Sequence, residues 1–149
     1  MRAVVQRVRE ARVEVDGVVV GAIGPGLVAF VAAGRDDQER DAVYVADKVA
    51  GLRVFEDDAG KMARSLSDTG GAVLAVSQFT LFGDVRRGRR PDFTAAMEPV
   101  AAERLFDRFV ARIRELGVPV QTGRFRAMMR VIVDNDGPVT ILIDSTKAF

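Results

Sequence analysis

The chain has 149 residues, 48% of them apolar and 29% charged, with a net charge of +1, which describes one globular domain over residues 1–149 with no apolar run long enough to span a bilayer and no global pull toward nucleic acid. It contains no histidine and no cysteine, which excludes a Ser-His-Asp triad, a thiol nucleophile, a disulfide and the usual zinc sites. Chemistry must then rest on hydroxyls, carboxylates, Lys, Arg, Tyr44, backbone amides or a group that the substrate brings, and neither metal nor cofactor is expected.

Arg2, Arg7 and Arg9 interrupt the apolar N-terminus, so it has no signal-peptide core, and a cytoplasmic protein is expected. Residues 1–9, 11–15, 18–23 and 27–33 are Val-rich with partial alternation and read as strands. Asp16-Gly17 signals a tight hairpin, and Gly24-Pro25-Gly26 marks a further turn. Asp36 and Glu39 have the spacing of a capping box. From there to Leu52 the recurrence of Val43, Ala46, Val49 and Ala50 predicts the first helix. Arg53-Val54-Phe55 reads as a short strand, followed by a turn at Asp57-Asp58-Ala59-Gly60.

Residues 73–82 form the most apolar segment, expected to be a central strand because little in it suits a solvated face. Residues 83–91 read as a basic loop, with Arg86, Arg87, Arg89 and Arg90 in five positions. Pro99 suits the first turn of a second helix, which Gly117 ends. Leu105, Phe106, Phe109, Val110, Ile113 and Leu116 supply its apolar stripe. Strands over 118–122, 127–134 and 139–143 close the chain. The fold class predicted is α+β, a largely antiparallel sheet curled toward a barrel, with two main helices.

Two segments carry more polarity than folding alone demands. Ser77, Gln78 and Thr80 end an otherwise apolar strand, and alternation places Ser77 and Phe79 on one face and Gln78 and Thr80 on the other. One reading is structural, with hydroxyls and an amide tying down neighbouring backbone. The other is a pocket in which Thr80 and the amides around Phe79 face a reacting ester. Without histidine neither hydroxyl has a general base, whereas stabilisation by backbone N–H groups needs no titrating residue. The second segment, Asn135-Asp136-Gly137-Pro138, reads as a turn between strands. X-Pro bonds in folded proteins are cis in only about 5–6% of cases, so an ordinary trans turn accounts for it, although Gly137 would allow a ligand close to the backbone. The basic residues are 19 Arg and 3 Lys; codon bias in a GC-rich genome accounts for that balance, while the local Arg86–Arg90 cluster is read equally as a solvated loop or as a phosphate contact.

In order along the chain, MRAVVQRV, RVFEDDAGKM, AVSQFTLF, GRRPDF, TGRFRAMM and NDGPVT resemble the D-aminoacyl-tRNA deacylases, with SQFTL and GPVT the most specific. Ala63-Arg64 depart from the pattern, which usually has Asn after Gly60-Lys61-Met62, and residues 144–149 extend past the common core. The resemblance implies hydrolysis of the ester of D-aminoacyl-tRNA, and of glycyl-tRNA mischarged on tRNA(Ala), for chiral proofreading. It implies a homodimer with shared active sites, in which Gly137-Pro138, as a cis element, enters the partner's pocket beside Ser77, Gln78, Phe79 and Thr80. There its carbonyls would bind the substrate and exclude L-amino acids sterically. The partner molecule implied is the acceptor end of a tRNA carrying a D-amino acid or glycine, with the terminal 2′-hydroxyl assisting catalysis. Thr80 matches a residue given a catalytic role in parts of the family. Two other classes fit the residues alone: an esterase or amidohydrolase of small D-amino acid esters, and a non-catalytic RNA-binding or scaffold protein.

Overall fold

Alternation of Val and Ala with polar residues near the N-terminus gives strand β1, Arg2–Val15, in the computed structural model, which describes residues 1–149. The expected break at Glu10 is absent. Instead β1 runs on because β8, Arg130–Asp144, pairs antiparallel with it from Arg2↔Asp144 to Glu14↔Arg130. Asp16 and Gly17, both at positive φ, turn the chain into β2, Val18–Ile23. After Gly24-Pro25 the chain continues as β3, Gly26–Ala32. Residues of β1 that face β8 also pair with β3 over 2–8 and with β2 over 11–15, so β2 and β3 follow one another along the opposite edge of β1.

The sheet is mixed. β6, Ala72–Ser77, runs parallel to β3, and β7, Val120–Thr122, runs parallel to β6. A two-stranded hairpin lies apart, formed by β4, Phe55–Glu56, and β5, Met62–Arg64. The sheet curls until β2 meets β7. A Cβ on Gly21 would lie 2.3 Å from the Thr122 carbonyl oxygen, so only glycine permits this near-closure.

Both faces of β3 and β6 are covered, as the unbroken apolar run of β6 requires. Leu27, Ala29, Val31, Val73 and Ala75 belong to the large core beneath the helices. Val28, Leu74 and Val76 face the smaller core inside the curl, with Val8, Ala11, Val13 and Ile23. Helix α1, Glu39–Gly51, buries Ala42, Val45, Ala46, Val49 and Ala50. Its start is displaced from the predicted capping box: the Gln38 N–H donates to the Asp41 carboxylate at 2.8 Å. The box is thus formed by Gln38 and Asp41 in place of Asp36 and Glu39, and Glu39 pairs instead with Arg108 of the later helix at 2.9 Å. Asp37 accepts from the Gly34 N–H at 2.5 Å and pairs with the N-terminal amine at 2.6 Å. A short helix that the periodicity missed, α2, Leu66–Thr69, is too brief to show a period and is marked only by Ser65, whose N–H donates to Asp68. Helix α3, Pro99–Glu115, starts as expected, with Glu98 accepting from the amides of Val100 and Ala101. Its fully buried Phe109 and Ile113 join the large core, and Arg112 pairs with Asp47 of α1 at 2.6 Å.

Gly21→Ala should force β2 away from β7 and destabilise the fold by roughly 1–3 kcal/mol, the usual cost of overpacking. Thermal unfolding of the two proteins measures this. An unchanged midpoint would show that the sheet closes with slack at this seam.

Candidate active site

The apolar strand does not continue to Phe82. β6 ends at Ser77, and Phe79–Phe82 is one turn of 3-10 helix. Pairing with β3 stops where the Gln78 N–H donates to the Val31 carbonyl at 2.8 Å. The Leu81 N–H then closes on the Gln78 carbonyl at 3.1 Å, and the Gly83 N–H on that of Thr80 at 2.9 Å. The predicted alternation of faces through Thr80 is therefore replaced by a turn. Its first two amides, those of Phe79 and Thr80, have no acceptor inside it, as at any helix start. The Gln78 side-chain amide donates to the Thr80 hydroxyl, which leaves the hydroxyl proton free to donate elsewhere. Ser77 and Gln78 are half-buried, while Phe79 and Thr80 are exposed.

The turn is held from behind by Arg2. Its Nη1 donates to the Leu81 carbonyl at 3.0 Å, its Nε donates to Asp144 at 3.1 Å, and its guanidinium lies 4.5 Å from the Phe82 ring centre. Burial opposes the charge on Asp144, but donors from Thr146 and Arg2 hold its carboxyl below the ordinary aspartate range. The segment after Asp144 is thus engaged: Ser145 accepts from the N-terminal amine at 2.6 Å.

In front of the turn lies an apolar cavity of about 750 Å³. Ser77, Gln78, Phe79 and Thr80 line it together with Phe93, Phe106 and Phe125. Four of the five methionines, Met1, Met97, Met128 and Met129, also line it, giving a soft and adaptable wall. Arg126 is the one ionisable side chain in the lining; the Met1 amine is spoken for by Asp37. No carboxylate reaches the cavity. It can bind an apolar or aromatic group and present hydroxyl and amide dipoles, and it has no side chain suited to shuttle protons near neutral pH.

Gly137 and Pro138 are not part of this lining. The expected turn between two strands is instead a bulge within the single strand β8. Gln6 pairs with Thr140 and Val8 with Asn135, so the one residue Arg7 stands opposite residues 136–139. The surplus loops outward, with Gly137 and Pro138 exposed and Val139 buried. The Gly137-Pro138 bond is cis, as the resemblance implies, and Gly137 has φ +126°, a conformation that favours glycine.

Two side chains that sequence reasoning did not single out support the bulge. Arg7, almost fully buried, donates from Nε to the Asp136 carbonyl at 3.3 Å and from Nη1 to the Val54 carbonyl at 2.6 Å. It also pairs with the Asp136 carboxylate at 3.4 Å. The Asn135 side-chain amide donates to the carbonyls of Arg7 and Val139 at 3.0 and 3.1 Å. The available signal was Arg7 on the inward phase of Ala3 and Val5, since a buried charge needs fixed partners. Ala63 and Arg64 sit on the β4–β5 hairpin and do not line the cavity.

The family described as D-Tyr-tRNA(Tyr) deacylase matches residues 4–144. The chain is 70% identical over 150 residues to a D-aminoacyl-tRNA deacylase of Sorangium cellulosum (strain So ce56), covering 100% of both chains. It is 64% identical to one of Symbiobacterium thermophilum (strain DSM 24528 / JCM 14929 / IAM 14863 / T), covering 100% of this chain and 99% of the other. Among solved structures it resembles the c-Myc DNA Unwinding Element Binding Protein, with TM-score 0.92 and 39% identity over 97% of this chain and 98% of that one. A probable eukaryotic D-amino acid tRNA deacylase shares the fold at TM-score 0.81 and 19% identity, over 96% and 98% of the two chains.

Arg7→Met should leave the Asp136 and Val54 carbonyls without their donor and lower stability by about 1–3 kcal/mol. Hydrogen exchange of the amides over residues 135–140 should accelerate ahead of the rest of β8. Exchange there at the wild-type rate would mean that the bulge keeps its shape without the guanidinium.

Proposed function

The chain belongs to the D-Tyr-tRNA(Tyr) deacylase family and is a hydrolase of the ester bond of D-aminoacyl-tRNA, and on that premise we propose how its residues divide the work. The observation that carries the proposal is a cavity with hydroxyl and amide dipoles and no carboxylate, histidine or thiol. A protein so equipped stabilises charge and positions groups, and the proton-transferring hydroxyl comes from the substrate. The 2′-hydroxyl of the terminal ribose is adjacent to the ester and fills that role.

In this reading the ester carbonyl lies against the amides of Phe79 and Thr80. The developing oxyanion is stabilised by fixed N–H dipoles, which need no reorganisation during the reaction. The Thr80 hydroxyl, oriented by Gln78, donates to the substrate and positions it without forming a covalent intermediate, because nothing nearby would take its proton. The terminal adenosine occupies the apolar part of the cavity.

Selection against L-residues falls to Gly137-Pro138 of a second copy of the chain. Its exposure, and its absence from the cavity of its own subunit, support delivery to a partner's cavity in a homodimer. β8 pairs with β1 alone and leaves its other edge without a strand, with Leu142 56% exposed; both features suit burial against another copy. The carbonyls of the bulge would stand where an L side chain must go. No helix is long and apolar enough to cross a membrane. An aminoacyl-tRNA substrate supports the reading of a cytoplasmic enzyme.

Steric exclusion reads where a side chain points and cannot refuse a substrate that has none. Glycyl-tRNA, including that mischarged on tRNA(Ala), should therefore be hydrolysed alongside D-alanyl-tRNA, and L-alanyl-tRNA hardly at all, since selection by one missing group in a permissive pocket is weak. Deacylation of the three at matched enzyme concentration decides it. Survival of glycyl-tRNA equal to that of the L-alanyl form would mean that the site recognises the D side chain positively.

The roles of the two hydroxyls separate in a second experiment. Replacing the terminal 2′-hydroxyl by hydrogen should slow turnover more than Thr80→Ala does. Equal rates on the two tRNAs would overturn substrate assistance, and a trapped aminoacyl-Thr80 ester would overturn the positioning role.

A further inference from the structure

One aromatic pair is unexplained by the core and unused by the chemistry above. Phe79 and Phe93 meet edge to face, with ring centres 5.1 Å apart and planes at 69°. They nevertheless remain 58% and 36% exposed. An isolated exposed apolar residue needs no explanation, but a contacting pair at the rim of a binding cavity forms a surface that wants an occupant. Phe93 is also held in place: a Cβ on Gly83 would come within 3.0 Å of its ring.

The pair stands at a boundary. Both rings line the apolar cavity, whereas Asp92 and Thr94, on either side of Phe93, line a second cavity of about 530 Å³ whose walls are entirely polar. Its remaining walls are Asp84, Arg86, Arg87 and Arg90. The base of this loop is fixed by paired hydrogen bonds between Asp84 and Asp92 at 2.8 and 2.9 Å. Its charges are not equivalent. Arg86 is taken by Asp84 through its side chain at 2.6 Å, and that pairing holds the Asp84 carboxyl far below its ordinary range. Asp92 accepts from the Thr94 N–H at 2.6 Å. Arg87 and Arg90 have no salt-bridge partner, so the second cavity keeps a net positive wall.

Aromatic faces beside unpaired arginines are what a single-stranded nucleic acid requires, the bases stacking while the phosphates meet the cations. We propose that Phe79 and Phe93 form a stacking step for the nucleobase preceding the terminal adenosine, and that Arg87 and Arg90 hold the phosphate joining the two nucleosides. This rests on the deacylase reading, because it takes the terminal nucleoside to be seated in the apolar cavity. The strand leaves that cavity over the aromatic rim and enters the polar one. Arg86 is structural and makes no phosphate contact.

The test compares D-alanyl esters of adenosine and of cytidylyl-(3′→5′)-adenosine, which differ by the proposed stacked base and its phosphate. The wild-type protein should hydrolyse the dinucleotide ester with the higher kcat/KM. Phe93→Leu should lower kcat/KM on the dinucleotide on the order of 10-fold more than on the adenosine ester, and Phe93→Trp, which restores a stacking face, should recover the difference. Arg87→Gln with Arg90→Gln should flatten the salt dependence of the dinucleotide reaction. An equal loss on both esters for Phe93→Leu would assign the ring to packing of the 3-10 turn, and no loss on either would assign it to solvent; each overturns the proposal. A wild-type protein that leaves D-alanyl-tRNA itself intact would instead overturn the deacylase reading, which keeps the two failures apart.

Discussion

Everything distinctive in this molecule depends on one mismatch in a long antiparallel ladder. β1 and β8 pair from Arg2↔Asp144 to Glu14↔Arg130, and between Gln6 and Val8 the partner strand has surplus residues. A ladder cannot absorb such an excess, so the surplus must leave the sheet, and β-bulges of this kind re-aim whatever they carry. Here the carried element is Gly137-Pro138. Arg7 occupies the space beneath it, with its charge met by Asp136 and its N–H groups by two carbonyls. A second register shift, between Val8 and Glu10, exchanges the faces of β1. Ala3 and Val5 look toward the helices, while Ala11 and Val13, of the same parity, look into the curl. Core and bulge thus share one irregular stretch of the ladder, between Gln6 and Glu10 of β1.

On the proposed reading, the cavity serves a hydrolase with little titrating chemistry. The 3-10 turn supplies dipoles whose directions are fixed by hydrogen bonds at both ends and by Arg2 behind. Fixed dipoles in an apolar surround stabilise developing charge better than solvent does, since they need not reorganise. Such a site has few means of attacking an ester unaided. That weakness suits a protein whose substrates differ from the normal currency of translation only in the configuration at one carbon.

The sequence carried the two long helices well. Pro99, the Phe109 and Ile113 stripe and the terminal Gly117 bounded α3 to within a residue, because helix periodicity and termination are local properties. The departures share one physical origin. Residues 1–15 and 130–144 each read as two strands because Glu10 and Asn135-Asp136-Gly137-Pro138 look like breaks, yet each pairs across the whole length of the other. Long-range pairing outweighed local turn propensity. β6 failed oppositely: Phe79–Phe82 has excellent strand composition but loses its partner where β3 ends. Arg7 and Phe93 were legible only as a charge and an aromatic ring, since their meaning depends on residues far away in the chain. The SQFTL and GPVT segments stood out early because polarity there exceeded what a strand and a turn need.

The pairing of β1 with β8 joins the first strand of the chain to the last. Contacts of such sequence separation are paid for in loop-closure entropy before they return any energy, which slows folding. During synthesis β1, β2 and β3 can pair with one another early, whereas the far edge of β1 must wait. The bulge at Gly137, the anchoring of Leu81 through Arg2 and Asp144, and the seating of Arg7 all come with the final strand. A nascent chain short of its last residues therefore exposes a bare β1 edge of 14 residues, open to strand addition by another chain. Competence and protection from aggregation arrive together, when β8 takes its place on that edge.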